Sequence, residues 1–336
     1  MIASYIARRL LLMIPTLVGI SLLVFILTQI IPGGPVEAYI RQLRFSAGAG
    51  DMSIEVTEEL LENLKKMYGY DKPAHVRYFT WMGNILRGDL GISHEYQEPV
   101  SYMIRSRLPV SLTFGIFSFF LVYLISIPLG IFKAIRDGTH FDAATSITLF
   151  VMYSIPSYAL ATLCIVFLCG GSFVSWFPLQ GLVSEHFEEL SFFEKILDYL
   201  HHITLPLICY VLSHFALTTM MMKNSFLEQV KQDYVRTARS KGLPEQKVYF
   251  KHVLRNALIP IATELSSFTS IFLSGSILIE QIFGLDGIGL LNYESILARD
   301  YPLALGIIMT ASVATVLGVF LSDLLYVLID PRITYQ

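Results

Sequence analysis

Three carboxylates stand inside otherwise apolar stretches of this 336-residue chain: Glu264, Glu280 and Asp323. An acid in lipid is expensive to ionise, so such groups face a bundle interior or water and are starting points for a solute path or a proton relay. Glu280 and Asp323 lie near opposite ends of their stretches, within reach of interfacial water. Glu264 is about 9 Å from one end of its run at ~1.5 Å rise per residue. Thr263, Ser267, Ser270 and Ser274 fall on one helical face beside it, at spacings of four, three and four. Thr310, Ala314, Gly318 and Ser322 recur every four residues near the C-terminus. Small residues at that interval either let helices approach closely in lipid or line a polar passage.

Other chemistry is missing. The chain has no G-x-x-x-x-G-K-[ST] phosphate loop, so it is not predicted to bind and hydrolyse ATP by itself. His186, Glu188 and Glu189 have the wrong spacing for a metal site. The His201-His202 pair precedes an apolar run, where a wet interfacial position is expected. Gly284 to Gly289 matches G-x-x-G-x-G but follows an apolar run and opens no βαβ unit, so it is not a nucleotide fingerprint. Cys164, Cys169 and Cys209 lie within apolar runs, at spacings of neither a zinc site nor a disulfide framework. No nucleophile–base set, cofactor site or metal site is predicted, and the chain is not expected to be an enzyme.

The elements that hold these residues follow from composition. Hydrophobic residues make up 54% of the chain and charged ones 15%, with a mean hydropathy of +0.58. A soluble domain carries about 25% charged residues, so this chain belongs in a membrane. Six runs, 10–31, 109–132, 144–169, 203–222, 258–283 and 303–329, reach the roughly 20 apolar residues that cross a bilayer as a helix. The fold class is therefore all-α and polytopic. The first run ends in Pro32-Gly33-Gly34-Pro35 rather than at a small-residue cleavage site, so it is retained. Pro156 lies mid-run, where a kink is expected, with Ser and Thr re-satisfying freed backbone groups. Arg8, Arg9, Lys133, Arg136 and the basic stretch after the fourth run all fall on one side, which places both termini in the cytoplasm.

The organisation is a first span at 1–31, an external loop at 32–108 and a transmembrane domain at 108–330. In the loop, 54–68 places Val56, Leu60, Leu64 and Met67 on one helical face. Ser53 is a plausible N-cap, and Gly69 and Pro73 are stop signals. A second amphipathic stretch, 74–87, presents Val76, Phe79, Trp81, Ile85 and Leu86 to the outer membrane interface.

Residues 223–256 carry eight Lys and Arg against three acids, Glu228, Asp233 and Glu245. Asp233 to Ser240 reads as a short helix, 241–243 as a break, and Pro244 as the first residue of a second helix. Gly just past one helix end and Pro just inside the next is the usual asymmetry. The shape suggests a docking piece, although a basic loop that merely holds topology has the same composition.

These residues carry a resemblance. The run DYVRTARSKGLPEQKVYFKHVLRNALIP resembles the "EAA" coupling loop of binding-protein-dependent ABC importer permeases, in the dipeptide/oligopeptide/nickel branch. Arg236-Thr237-Ala238 occupies the Glu-Ala-Ala positions and Gly242 is retained. Arg8-Arg9 with IPTLVGISLLVFILTQIIPGGP is similar to the family's first span, LPVSLTFG to the opening of its second, SIPSY to its third, and RDYPLALG with SDLLYVLIDPRITYQ to its sixth span and tail. LKKMYGYDKPAHVRYFTWM and FGLDGIGLLNYES look most like permeases of the microcin C/oligopeptide importers. The resemblance implies a subunit forming half of a translocation pathway for peptide-like solutes. Its implied partners are a paralogous permease, cytoplasmic ATPases that hold the ATP and Mg²⁺, and an external solute-binding protein. Coupling would involve Asp233, Tyr234, Arg236, Thr237, Ala238, Arg239, Lys241, Gly242, Leu243 and Pro244, with Arg236, Arg239 and Lys241 pairing to ATPase acids. A proton-coupled carrier is the alternative, and it would need inverted repeats between halves, which the sequence does not show. Nickel or another small solute is the alternative cargo.

Overall fold

Backbone N–H and C=O groups find no partner in lipid, so apolar runs satisfy them internally as helices. The computed structural model describes residues 2–30, 62, 72–170, 173–264 and 275–329. Its helices are α1 (Ile2–Ile30), α2 (Ala74–Leu86), α3 (Val100–Ile135), α4 (His140–Ser154), α5 (Ser157–Cys164), α6 (Phe192–Val230), α7 (Asp233–Ser240), α8 (Glu245–Lys247), α9 (Leu254–Ala257), α10 (Ile277–Ile282), α11 (Ile288–Leu297) and α12 (Tyr301–Ile329). Among the described residues the sole β feature is an isolated bridge between Ile92 and Pro99.

Three helical stretches, Ile6–Leu27, Val100–Ile135 and Tyr301–Leu324, are long and apolar enough to cross a membrane. Two bent pairs of helices have the same character. The first is broken at Ile155-Pro156, with α4 and the helix after it inclined by 87°. The break is the expected kink in strong form, because Pro cannot donate to the preceding turn. Ser154 Oγ donates to Phe150 O at 2.7 Å, on the turn just before the break. The second pair lies within α6, which bends by 46° near residue 213. α6 is much longer than the predicted 203–222. The backbone N–H of Ser191 donates to Glu194 at 2.9 Å, half of a capping box that starts the helix at Phe192. The middle of the predicted run 258–283 lies outside the described residues, and with it Ser267, Ser270 and Ser274. The helix expected at 54–68 also lies outside them apart from Glu62.

The chain divides into two compact units, 1–6 with 110–290 and 314–336, and 7–109 with 291–313. In the second, α2 lies against α1 and the start of α12. Trp81 and Ile85 pack with Ile20, Val24, Leu305 and Met309. Tyr78 adds an edge-on contact with Phe25 and a 2.9 Å hydrogen bond with Ser21. The predicted apolar face is therefore rotated. Phe79 and Leu86 are exposed, because the aromatic that pairs with a buried serine, Tyr78, takes the inner position.

Among its described residues the first unit has two apolar clusters. One gathers Phe114, Ala161, Cys169, Ile203, Cys209, Tyr210 and Ile279, and the cysteines in it are free thiols, as expected of small apolar packing residues. The other joins Ile131 and Ala134 of α3, Met222 and Phe226 of α6, and Val235, Ala238, Val248 and Val253 of the hairpin that follows. Gly130 permits the α3–α6 approach, since a Cβ there would stand 2.7 Å from Met222 Cβ.

Candidate functional site

The hairpin is built from local signals. α7 spans the predicted Asp233–Ser240, and Gly242 turns the chain at φ +72°, a left-handed conformation that only glycine adopts freely. Pro244 precedes the second helix, which opens at Glu245. It is a cap rather than the first helical residue, one place off the sequence reading. The second arm then widens into an i→i+5 turn over Val248–Val253.

Its two faces differ. Val235, Ala238, Val248 and Val253 are buried on α3 and α6, while Leu243 is half-buried on the same cluster. Tyr234, Arg236, Thr237, Lys241 and Pro244 are exposed, as is Asp233. Two residues of the predicted coupling set do not face outward. Ala238 belongs to the buried base. Arg239 is not directed outward, because its Nε and Nη2 donate to the two carboxylate oxygens of Glu245 at 2.8 and 3.2 Å. That fork ties one arm to the other. Hydrogen bonding to Arg239 holds the Glu245 carboxyl below the usual carboxylate range, and burial raises the Tyr249 phenol beside them. Arg236 makes only a long 3.4 Å contact with Asp233 on the exposed surface, where an ion pair is worth about 0–1 kcal/mol.

Lys223, the first base of the predicted basic knob, is also corrected. It is buried and donates to Asp142 at 2.7 Å, with Asp137 at 2.8 Å. The other oxygen of Asp142 lies 3.0 Å from Lys133, which is fully buried and donates to Thr145 and Ser146 at 2.7 and 2.8 Å. Neither lysine stood out in the sequence beyond its contribution to loop charge.

The intramembrane acids separate. Glu280 is 0% exposed, contrary to the expected reach to interfacial water. Its carboxylate accepts from Leu290 N at 2.8 Å, Ser276 N at 3.1 Å and Tyr210 OH at 3.2 Å. Gly275 and Gly287 pass so close that any side chain there would collide with it. The glycines of the spurious nucleotide motif thus fold a loop around a carboxylate, as backbone donors require close approach. Glu264 is half-buried, with Thr218 Oγ1 at 3.0 and 3.1 Å from its oxygens. Thr263 is exposed and Asp323 half-buried. Ser322 donates to Ala262 O at 2.8 Å, so the four-residue pattern includes close packing of α12 on the fifth run. His202 is buried rather than wet, with Nδ1 2.8 Å from Asp198 O. Among the described residues no His, Cys, Asp and Glu cluster could hold a metal.

Residues 126–335 match the family model described as "binding-protein-dependent transport system inner membrane component". The chain is 44% identical to "Peptidoglycan transport system permease protein YejB" of Agrobacterium fabrum, over 99% of this chain and 98% of that protein. It is 42% identical to "Inner membrane ABC transporter permease protein YejB" of Escherichia coli O157:H7, over 99% of each. Identity to "Oligopeptide transport system permease protein AppB" of Bacillus subtilis is 35%, over 99% of this chain and all of that protein. Apolar helices long enough to span a membrane and these full-length matches agree: the chain belongs to the inner-membrane components of binding-protein-dependent transport systems.

Proposed function

We propose that this chain is the permease subunit of an ATP-binding-cassette importer for peptides or peptide-like solutes, with six spans and both termini in the cytoplasm. The hairpin at 233–256 is the seat of a cytoplasmic ATPase. ATP and Mg²⁺ are bound and used in that partner, and an external binding protein delivers the solute. A paralogous permease supplies the other half of the pathway. The observation that carries the reading is the two-faced hairpin. One face is keyed into α3 and α6 by Val235, Ala238, Val248 and Val253, and the opposite face leaves Tyr234, Arg236, Thr237 and Lys241 exposed. A loop serving only to hold topology needs charge but no such apolar keying. The peptide-like cargo rests on the names of the relatives.

Co-expression with candidate ATPases and a second permease, followed by purification in detergent, tests the proposal. A complex should form and take up labelled tripeptides into proteoliposomes only with ATP and the binding protein. The chain alone should neither hydrolyse ATP nor transport. Uptake by the chain alone, driven by a proton gradient, would establish the secondary carrier instead.

A further inference from the structure

The hairpin's apolar face sits on Ile131 and Ala134 of α3 and on Met222 and Phe226 of α6. The buried lysines are interleaved with these residues: Lys133 lies between Ile131 and Ala134, and Lys223 follows Met222. Both lysines reach one carboxylate, Asp142, at the start of α4. Asp142 Oδ1 is 3.0 Å from Lys133 and Oδ2 is 2.7 Å from Lys223. Asp137, in the turn between α3 and α4, takes Lys223 at 2.8 Å. Lys133 also donates to the backbone O of Asp142 at 3.0 Å. Thr139 caps α4 and accepts from Asp142 N, and Gly138 N donates to the same carboxylate at 3.3 Å. The remaining link is Ser225 Oγ to Ala257 O at 2.8 Å, which joins α6 to the hairpin's second arm.

The cluster is electrically neutral, with two lysines and two aspartates; Lys133, Lys223 and Asp142 are buried, and Asp137 is half exposed at its rim. Burying charges is costly, and a buried ionic set seldom adds stability over an apolar one of equal volume. What it does is fix a single arrangement, because sliding one element strands a charge. An apolar contact can slip by a rotamer; this one cannot.

Resting on the permease reading above, we infer that Asp142 is a positioning residue for coupling. Its carboxylate, shared by Lys133 and Lys223, makes the first turn of α4 move as one piece with the α3–α6 base on which the ATPase-docking hairpin rides. Movement at the hairpin then reaches the kinked third span through a defined pair of ionic links rather than through loop 136–139 alone.

The experiment uses the full importer in nanodiscs and reads ATP hydrolysis with and without its binding protein, as purified with endogenous ligand. Asp142→Asn should leave the permease in the membrane and the ATPases bound, and basal hydrolysis within twofold, while stimulation by the binding protein falls at least fivefold. Removing one charge could simply disturb folding, so a second variant keeps the cluster neutral. Asp142→Asn with Lys223→Gln deletes one acid and one base and leaves Lys133 and Asp137. Its membrane level should be normal and its stimulation still lost, because the shared carboxylate is gone. Stimulation restored in the double variant would overturn the inference, since charge balance alone would then suffice. Absence of both variants from the membrane would overturn it too, by making the cluster a folding element. Failure of the permease reading looks different: the wild-type complex would not form, or would show no stimulation.

Discussion

Gly242 is the residue on which hairpin geometry turns. It sits at φ +72° with open space where a Cβ would stand. The cost of a side chain there is thus all backbone, about 1–2 kcal/mol for an ordinary L-residue in a left-handed conformation. Asn tolerates that region far better than a β-branched residue. Gly242→Val should therefore reduce ATPase pull-down roughly tenfold at normal membrane level, and Gly242→Asn should bind nearly as wild type. Equal binding by the Val variant would show that the turn does not set the docking geometry. Residues of this sort were legible because their signals are local: Gly after a helix, Pro before the next. Glu280 was visible as an intramembrane acid, but its cage was not. Its partner Tyr210 is 70 residues away in sequence, and nothing in a helical period announces that pairing. The Lys223–Asp142 contact, 81 residues apart, was hidden for the same reason. There the reading of Lys223 and Lys133 as charges that set topology hid two bases that are buried.

At the scale of elements, the segment before α3 is fastened to the turn before α12. Asp300 is buried and accepts from Ser93 Oγ, from Glu95 N at 3.2 Å and from Leu303 N at 3.3 Å. Gly306 lets Val100 approach, since a Cβ there would stand 2.6 Å from it. His94 lies within this lock. Burial lowers its imidazole below the ordinary value, against an opposing pull from Asp300. The neutral form is thus favoured in the folded protein. As pH falls through about 6.5, the unfolded chain takes up the proton first. Stability from this site is complete above that pH and declines below it. Thermal unfolding of the purified permease should occur at lower temperature at pH 5.5 than at pH 7.5, and His94→Gln should flatten that dependence. An unchanged slope in the variant would assign the acid sensitivity to other groups. The amphipathic period of α2 was readable from sequence, whereas its rotation was not, because Tyr78 is drawn inward by Ser21 and not by hydrophobicity.

For the whole molecule, the class of protein followed from hydropathy. The predicted run 303–329 coincides with α12 to within two residues, whereas 10–31 and 109–132 begin eight and nine residues inside α1 and α3, whose polar first turns the apolar count leaves out. The proposed topology makes a further test. A membrane-impermeant thiol reagent should label Lys241→Cys only from the cytoplasmic face and Ser184→Cys only from the outside. Cys169 and Cys209 are buried and Cys164 is half-buried, so labelling is read against the parent carrying its native thiols. Labelling of both from one face would refute the six-span arrangement.

α3 runs unbroken for 36 residues and α6, though bent, for 39. At ~1.5 Å per residue these rods are about 54 and 58 Å long, nearly twice a hydrocarbon layer of about 30 Å. A thicker bilayer can therefore wet more of each rod without moving its ends. The separation of each rod's two ends is fixed by helix length, so a thicker bilayer changes only how much of the rod stands clear of the lipid.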